Sequence, residues 1–447
     1  MIPGQMPYRG VMAQPLLVRA IGPKLLLFLV IGDVLGTGIY ALTGDVAGEV
    51  GGAAWLAFGL SFFIALCTAA SYAELVGKYP HAAGAALYTQ RAFALPFVTF
   101  LVGFAVMSSG LTSASAASRS FAGYFQELAA LPPLLLATLF LLAVACLNFR
   151  GVAESVRVNL IFTCIELLGL AIVITVGMTA LARGIGDPAR ALEFNAGGDP
   201  FTLVVSGAAL AFFALVGFED SVNLVEETRN PERAFPRALF GGLAVAGTLY
   251  MLVAFCATAL VPIEVLGSSD QDLLEVIRVG MPGFPLGLFS LIAMAAVANS
   301  ALINMMMASR LVYGMAREQI IAPKLAAVHA RRRTPWIAIV ATTAIALGLA
   351  SWGGVRTLGG ATALLLLSVF TLVNVAVLVL RRRPVEHSHY RAPSALPVVG
   401  IVSSAFLASP LSGRDVEEYR VVGALLALGV VLWGVNRLFQ GRARPPD

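Results

Sequence analysis

Three acidic residues stand where acids are costly. Asp33, Glu166 and Glu219 each lie deep within a run of apolar residues, and glycine also interrupts two of those runs. The first reads Ile31-Gly32-Asp33-Val34-Leu35-Gly36-Thr37-Gly38-Ile39-Tyr40. The other reads Phe212-Phe213-Ala214-Leu215-Val216-Gly217-Phe218-Glu219-Asp220. Glycine in a helix interior costs roughly 1 kcal/mol against alanine, and an acid in hydrocarbon costs several more unless it faces a polar cavity. Close helix packing through the G-x-x-x-G pair Gly32 and Gly36 is the alternative reading of those two positions. Gly36-Thr37-Gly38 together favour local unwinding. An unwound helix frees backbone N–H groups, which with the positive end of a half-helix bind a carboxylate. Freed carbonyls on a partner helix accept from an ammonium. An α-amino acid carries both groups.

The elements that must hold these groups are the apolar runs themselves. Of 447 residues, 58% are hydrophobic and 12% charged, with a mean hydropathy of +0.85. An ordinary soluble domain has about 25% charged residues, so a soluble enzyme is excluded, as is a soluble domain on one anchor. Apolar runs near the 20 residues needed to cross a bilayer predict twelve spans. They fall at 25–49, 53–76, 92–118, 132–149, 155–181, 202–225, 237–261, 285–309, 336–352, 358–380, 396–411 and 419–437, the ninth and eleventh being short. With the N-terminus inside, 23 of the 30 Lys and Arg residues fall in inner segments. They run from Arg9, Arg19 and Lys24 to Arg437, Arg442 and Arg444, so both termini are expected in the cytoplasm. No cleavable signal peptide is expected in Met1 to Lys24. Trp55, Trp336 and Trp352 fall at span ends, where an amphipathic ring prefers the interface.

The remaining chemistry-bearing residues point to no second activity. Cys67, Cys146, Cys164 and Cys256 lie in apolar runs and read as small buried hydrophobes. Glu386-His387-Ser388-His389 could bind a metal, but reads better as a solvated loop. The charge run Glu226 to Arg233 reads as an inner loop in which Pro231 stops the sixth span. Ser108, Ser109, Thr112, Ser113 and Ser115 form a polar stripe on the third span. That stripe fits a substrate path and ordinary small-residue packing equally well. No cofactor, metal or nucleic acid is expected.

A pair of glycine-interrupted spans opening two five-helix halves points to an inverted-repeat transporter. The sequence resembles bacterial permeases of the amino acid–polyamine–organocation superfamily, which share the leucine-transporter fold. Gly36 to Tyr40 match the family's glycine, small residue, glycine, apolar, aromatic pattern. The sixth span matches its aromatic-rich segment ending in glycine, aromatic, acid, with Asn230-Pro231 eleven residues later. Tyr72-Ala73-Glu74-Leu75 and the segment Ser309 to Glu318 match further motifs. Two departures show: Ala83-Gly84-Ala85 replaces the usual serine-glycine-glycine, and Asp33 stands where many members have a small or amide residue.

The resemblance implies an all-α integral membrane protein of twelve transmembrane helices. It would be a 5+5 inverted repeat with discontinuous helices 1 and 6, plus two extra C-terminal helices. The divisions would be a cytoplasmic segment 1–24, repeats at 25–200 and 201–383, and a C-terminal part 384–447. The backbone at Gly36, Thr37, Gly38 and Ile39 would take the carboxylate. Carbonyls around Phe213, Ala214, Val216 and Gly217 would take the amine, with Phe213 as a gating aromatic. Sodium-coupled relatives bind an ion between the first and eighth spans, but Ala296-Val297-Ala298-Asn299-Ser300 offers one hydroxyl instead of a pair. Proton-coupled relatives carry a titratable group on span five; fifteen residues after Gly151, that place holds Glu166.

Glu166 reads either as a proton site or as a protonated acid hydrogen-bonded to another helix, since burial favours the neutral form. Asp33 and Glu219 compete with it, and Asp33 is expected to share its cavity. The best reading is a plasma-membrane importer of an amino acid, coupled to protons by alternating access. An amino acid/amine exchanger of the same fold is the alternative. A membrane-embedded enzyme or a sensor is remote, because catalytic groups and an output domain are both lacking.

Overall fold

A computed structural model describes residues 19, 21–81, 84–150, 152–269, 271–317 and 321–442. Arg9, Ala83, Gly151, Glu318 and Arg444, named above, lie outside the described residues, as does most of the segment 1–24. The described residues form sixteen α-helices and five short 3-10 turns, with one isolated bridge between Ile21 and Thr228 and no strand. The helices are α1 (Pro23–Val34), α2 (Thr37–Val50), α3 (Ala54–Lys78), α4 (Gly84–Phe93), α5 (Pro96–Phe125), α6 (Pro133–Arg150), α7 (Val152–Ala182) and α8 (Pro200–Ala211). They continue with α9 (Pro231–Leu260), α10 (Ile263–Leu266), α11 (Asp272–Gly280), α12 (Leu286–Arg317), α13 (Trp336–Trp352), α14 (Val355–Leu380), α15 (Ala395–Ala408) and α16 (Val416–Arg442).

Proline opens α1, α5, α6, α8 and α9, where its missing N–H loses no intrahelical bond. Among the described residues, ten segments are long and apolar enough to cross a bilayer, counting α1 with α2, and α8 with the turns after it. α13 and α15 are shorter, at 17 and 14 residues. At 1.5 Å per residue α15 covers about 21 Å, against a hydrocarbon core of about 30 Å. The seventh span was expected from 237, yet α9 begins at Pro231, where Asn230 turns with φ 49°. Its charged first turns extend the helix beyond its apolar stretch, which hydropathy alone does not register.

The helices pack as two groups. α1, α2, α3, α8 and α9 contact one another in one group. α5, α6, α12 and α13 form the other, with α5 against α12 at its centre. α7 touches α1, α9 and α12, and α14 touches α3 and α5, so these two helices bridge the groups. The α5 stripe makes packing contacts and also reaches a cavity. The Thr112 and Thr362 hydroxyls lie 2.7 Å apart and Ser115 donates to Ala346 O at 3.0 Å, while Ser113 reaches the central cavity described below.

Buried charge fastens the two ends of the bundle. At the basic end, Arg381 grips Glu74 with two hydrogen bonds of 2.8 and 2.6 Å, and the Ala392 N–H donates to the same carboxylate. That hydrogen-bonded pairing holds the Arg381 guanidinium above its ordinary pKa. The His387 ring lies 3.0 Å from Gly77 O, packed on the end of α3. At the opposite end the buried Arg414, between α15 and α16, bonds Glu418 and the carbonyls of Leu407, Gly360 and Ala209. The last two helices are thereby tied to α8 and α14.

One expectation fails. Cys67 and Cys256 are buried, but Cys146 and Cys164 are exposed. They lie on outward faces of α6 and α7, where an apolar environment is supplied by lipid instead of protein.

Arg381→Ala leaves the Glu74 carboxylate, 2% exposed, without its charge partner. It should cost about 3–5 kcal/mol of stability. Arg420→Ala removes only an exposed pair with Glu417 and should change stability by less than about 1 kcal/mol. Thermal unfolding of the detergent-solubilised variants checks this; equal shifts would contradict it.

Candidate functional site

Both glycine-bearing spans are broken, and the breaks face each other. α1 stops at Val34, Leu35 and Gly36 run extended, and α2 starts at Thr37. Gly36 has no side chain to cap α2, so the first N–H groups of that helix lack a side-chain partner. In the sixth span α8 tightens into a 3-10 turn at Phe212–Leu215, Val216 is extended, and a second 3-10 turn runs from Asp220 to Glu227. Between them Gly217 adopts φ 121°, a conformation open essentially to glycine. Where the turn stops at Leu215, its last carbonyls lose the partners a continuing helix would supply.

Glycine is required by contact as well as by torsion. A Cβ on Gly38 would stand 2.3 Å from Ala214 Cα, and one on Gly217 would stand 2.4 Å from Asp33 O. Each break is thus pressed against the backbone of the other. Tyrosines brace the arrangement. The Tyr250 hydroxyl donates to Val34 O (2.7 Å), Tyr124 to Tyr40 O (2.6 Å) and Tyr40 to Glu166 O (3.0 Å).

A cavity of about 20 Å³ lies between the breaks, lined by Asp33, Gly36, Thr37, Gly38, Ser113, Phe213, Ala214, Val216, Gly217, Ser300 and Asn304. It has room for about one water, so a larger guest requires the breaks to separate. The Thr37 hydroxyl is 1% exposed and has no hydrogen-bond partner. Of the expected substrate residues, Gly36, Thr37, Gly38, Phe213, Ala214, Val216 and Gly217 converge here. Ile39 is fully buried and does not line the cavity, though its N–H belongs to the first turn of α2.

A second cavity of about 290 Å³ lies beneath, towards the basic end, lined in part by Ile21, Leu25, Leu29, Asn159, Asp220 and Arg310. Asp33 lines both cavities and so forms the floor between them. Glu219 turns back to accept from the Gly217 N–H at 2.9 Å. The charged neighbours of Asp33 are Glu219 and Asp220.

Glu166 lies apart. It is fully buried and neither carboxylate oxygen has a hydrogen-bond partner. Tyr40, Tyr250 and Asn299 are its polar surroundings. The Asn299 amide N–H groups point instead at Gly32 O (3.3 Å) and the Thr163 hydroxyl (3.5 Å), while Asn159 donates to Asn299 Oδ1 at 2.9 Å. Glu166 lines neither cavity, so the expectation that it shares one with Asp33 is not met. Asp33 points down the axis of the site, whereas Glu166 sits on α7 beside the Asn299 knot.

Sequence reasoning passed over Asp220, Ser300 and Asn304 as site residues, and named Ser113 only within the stripe on the third span. Asp220 was readable as the neighbour of Glu219. Ser300 and Asn304 are four apart on α12 and so share a face, but no pattern of residue type distinguished that face from the rest of the helix.

Residues 21–431 match the family model described as amino acid permease. The chain is 27% identical to the branched-chain amino acid permease BcaP of Bacillus subtilis, covering 93% of this chain and 92% of that protein. It is 28% identical to the methylthioribose transporter of the same organism, over 87% of each. Cationic amino acid transporter 9 of Arabidopsis thaliana is 30% identical over 70% of this chain and 58% of its own length.

Gly217→Ala should cost about 1–3 kcal/mol, because the residue must hold a glycine-only torsion against Asp33 O. Gly434→Ala, with nothing within 4 Å of the added Cβ, should be neutral or stabilising by up to about 1 kcal/mol. Melting temperatures of the purified variants compare them, and equal values would show that the break is not held as described.

Proposed function

The chain belongs to the amino acid permease family, and from that premise we propose that it is a secondary transporter importing an α-amino acid with protons. The protein is membrane-embedded, and its matched relatives are named as permeases and transporters. The observation that carries the reading is the pair of facing helix breaks. The N–H groups of Thr37, Gly38 and Ile39, with that of Gly36, receive the carboxylate at the positive end of α2. Carbonyls around Phe213, Ala214, Val216 and Gly217 receive the ammonium. Phe213 covers the guest. The orphan Thr37 hydroxyl, with Ser113, Ser300 and Asn304, completes a polar lining.

The proposed architecture is twelve spans in a 5+5 inverted repeat, 25–200 and 201–383, followed by two extra helices in 384–447. The packing supports it, since α3 meets α9, α5 meets α12 and α6 meets α13. These are the pairs of second, third and fourth spans of the two halves. Alternating access then moves the group containing α1, α2, α8 and α9 against the group centred on α5 and α12. The basic end is the cytoplasmic side of the plasma membrane and carries both termini, by the distribution of Lys and Arg. On that assignment the larger cavity opens inward and the site itself is closed.

The proton acts at Glu166, with Asp33 and Glu219 at the floor as the competing sites. Glu166 is supported by its isolation, since it is fully buried on α7 with no hydrogen-bond partner to its carboxylate oxygens. Coupling follows when movement of α1 and α2 brings it donors or water. Asn299 argues against sodium in that place, because it presents amide donors to Gly32 O where a cation needs acceptors.

Proteoliposomes empty of amino acid test this with radiolabelled L-leucine and L-lysine. Uptake of either should rise several-fold under an inward proton gradient. Glu166→Gln should abolish that response and spare exchange against internal substrate. Uptake requiring internal amino acid in the parent protein would identify an exchanger, and an unchanged proton response in the variant would remove Glu166 from the mechanism.

A further inference from the structure

The loop between α12 and α13, at the basic end of the bundle, carries three consecutive arginines, Arg331, Arg332 and Arg333. Hydrogen bonds close it into a turn. The His329 N–H donates to Thr334 O at 2.9 Å, the Arg333 N–H to His329 O at 2.8 Å, and the Arg332 N–H to His329 Nδ1 at 3.2 Å. Arg333 lies in the left-handed region at φ 55°, where a residue other than glycine stays only if its surroundings hold it. The turn is fastened to the end of α6. There the Thr334 hydroxyl donates to Phe149 O at 3.1 Å, and the His329 ring meets the Phe149 ring edge-on.

The three arginines are exposed, and among the described residues none of their guanidinium groups makes a hydrogen bond or ion pair. Residues 319–385 contain neither Asp nor Glu. The turn also leads into the N-terminus of α13, which has no side-chain cap and no acid in its first turn. The free N–H groups and positive dipole end of that helix add to the same charge. Helix end and arginines together have no acid of the loop or of α13 to offset them.

The surface beside this charge is apolar. Trp336 and Val340, 43% and 60% exposed, lie four residues apart and share a face of α13. Leu139 and Leu142 are exposed on α6, which packs against α13. At 17 residues α13 covers about 25 Å, less than the hydrocarbon core of about 30 Å. A short span draws its flanking residues towards the head groups. The arginines therefore stand near phosphate depth, with an interfacial tryptophan next to them.

We propose that the Arg331–Arg333 turn is a binding site for an anionic phospholipid. The guanidinium groups take the phosphate through paired N–H donors, and the acyl chains lie along Trp336 and Val340. A partner that offers phosphate and hydrocarbon together is a lipid; an acidic protein segment offers only the charge. The site requires that the chain cross a membrane and does not depend on the transport reading.

Quenching of tryptophan fluorescence by brominated lipids tests the site in the full-length protein reconstituted into bilayers. Trp55→Phe, Trp352→Phe and Trp433→Phe together leave Trp336 as the reporter. Dibrominated phosphatidylglycerol should bind beside it about fivefold more strongly than dibrominated phosphatidylcholine, because fixed cations concentrate an anionic head group. Arg331→Gln, Arg332→Gln and Arg333→Gln combined should abolish that preference, and the three corresponding changes to Lys should keep most of it. A protein retaining Trp352 alone, at the other end of α13, should show none. Should the single-tryptophan proteins fail to fold, the melting temperature of the unaltered sequence in dodecyl maltoside replaces the quenching. Phosphatidylglycerol should raise it more than phosphatidylcholine does, and the three changes to Gln should remove the difference.

Equal binding of the two lipids beside Trp336, the same preference at Trp352, or a preference that survives the changes to Gln would overturn the proposal. So would stabilisation by glycerol 3-phosphate or by polyglutamate equal to that by phosphatidylglycerol. The first would mark a site for free phosphate, and the second a site for an acidic protein segment.

Discussion

Everything in this molecule depends on a backbone that is broken twice inside a membrane. Hydrocarbon offers no hydrogen bonds, so irregular backbone at that depth survives only where protein or a water-filled cavity surrounds it. Here each break is enclosed by the other, Gly38 against Ala214 and Gly217 against Asp33. The same contacts exclude any residue larger than glycine and leave the unsatisfied N–H and carbonyl groups facing one small space. Stability and recognition are therefore the same problem. On the proposed reading, a guest that supplies an anion and a cation satisfies what the fold leaves open.

The polar groups at the ends of the bundle and around the breaks differ in whether they have partners. Glu74 with Arg381 and Arg414 with Glu418 are buried and fully bonded, and they tie the last helices and their loops to spans of the earlier part of the chain. Thr37, Ser120 and Glu166 are buried and unbonded. These three lie at the breaks, above them, and on the α7 helix that touches α1. Asp33 belongs with them by position, since it separates the closed cavity from the open one below it.

Much of this was legible in the sequence, for definite reasons. Unbroken apolar runs marked the spans, and the triplet Gly36-Thr37-Gly38 with Gly217 marked both breaks. The family motifs at Gly36 to Tyr40 and in the aromatic-rich segment from Phe212 to Glu219 then located seven residues of the cavity wall. What stayed hidden depends on rotation about helix axes. Nothing in the residue types told that Asp33 looks down towards Asp220 while Glu166 looks towards Asn299, or that Cys146 and Cys164 face outward. Ser300 and Asn304 were hidden for the same reason. The start of α9 was missed because its first turns are charged, and hydropathy locates apolar stretches instead of helices.

The central claim is that one guest bridges the two breaks through its carboxylate and its ammonium. Thermal stabilisation of the purified protein by matched sets of ligands tests it most directly. L-leucine would be compared with L-leucinamide and 4-methylpentanoic acid, and L-lysine with L-lysinamide and 6-aminohexanoic acid. The account predicts that at least one parent amino acid raises the melting temperature and that its amide and its deaminated analogue do not. Equal stabilisation by an amide or a deaminated analogue would show that the breaks do not recognise the two charged ends, and would contradict it.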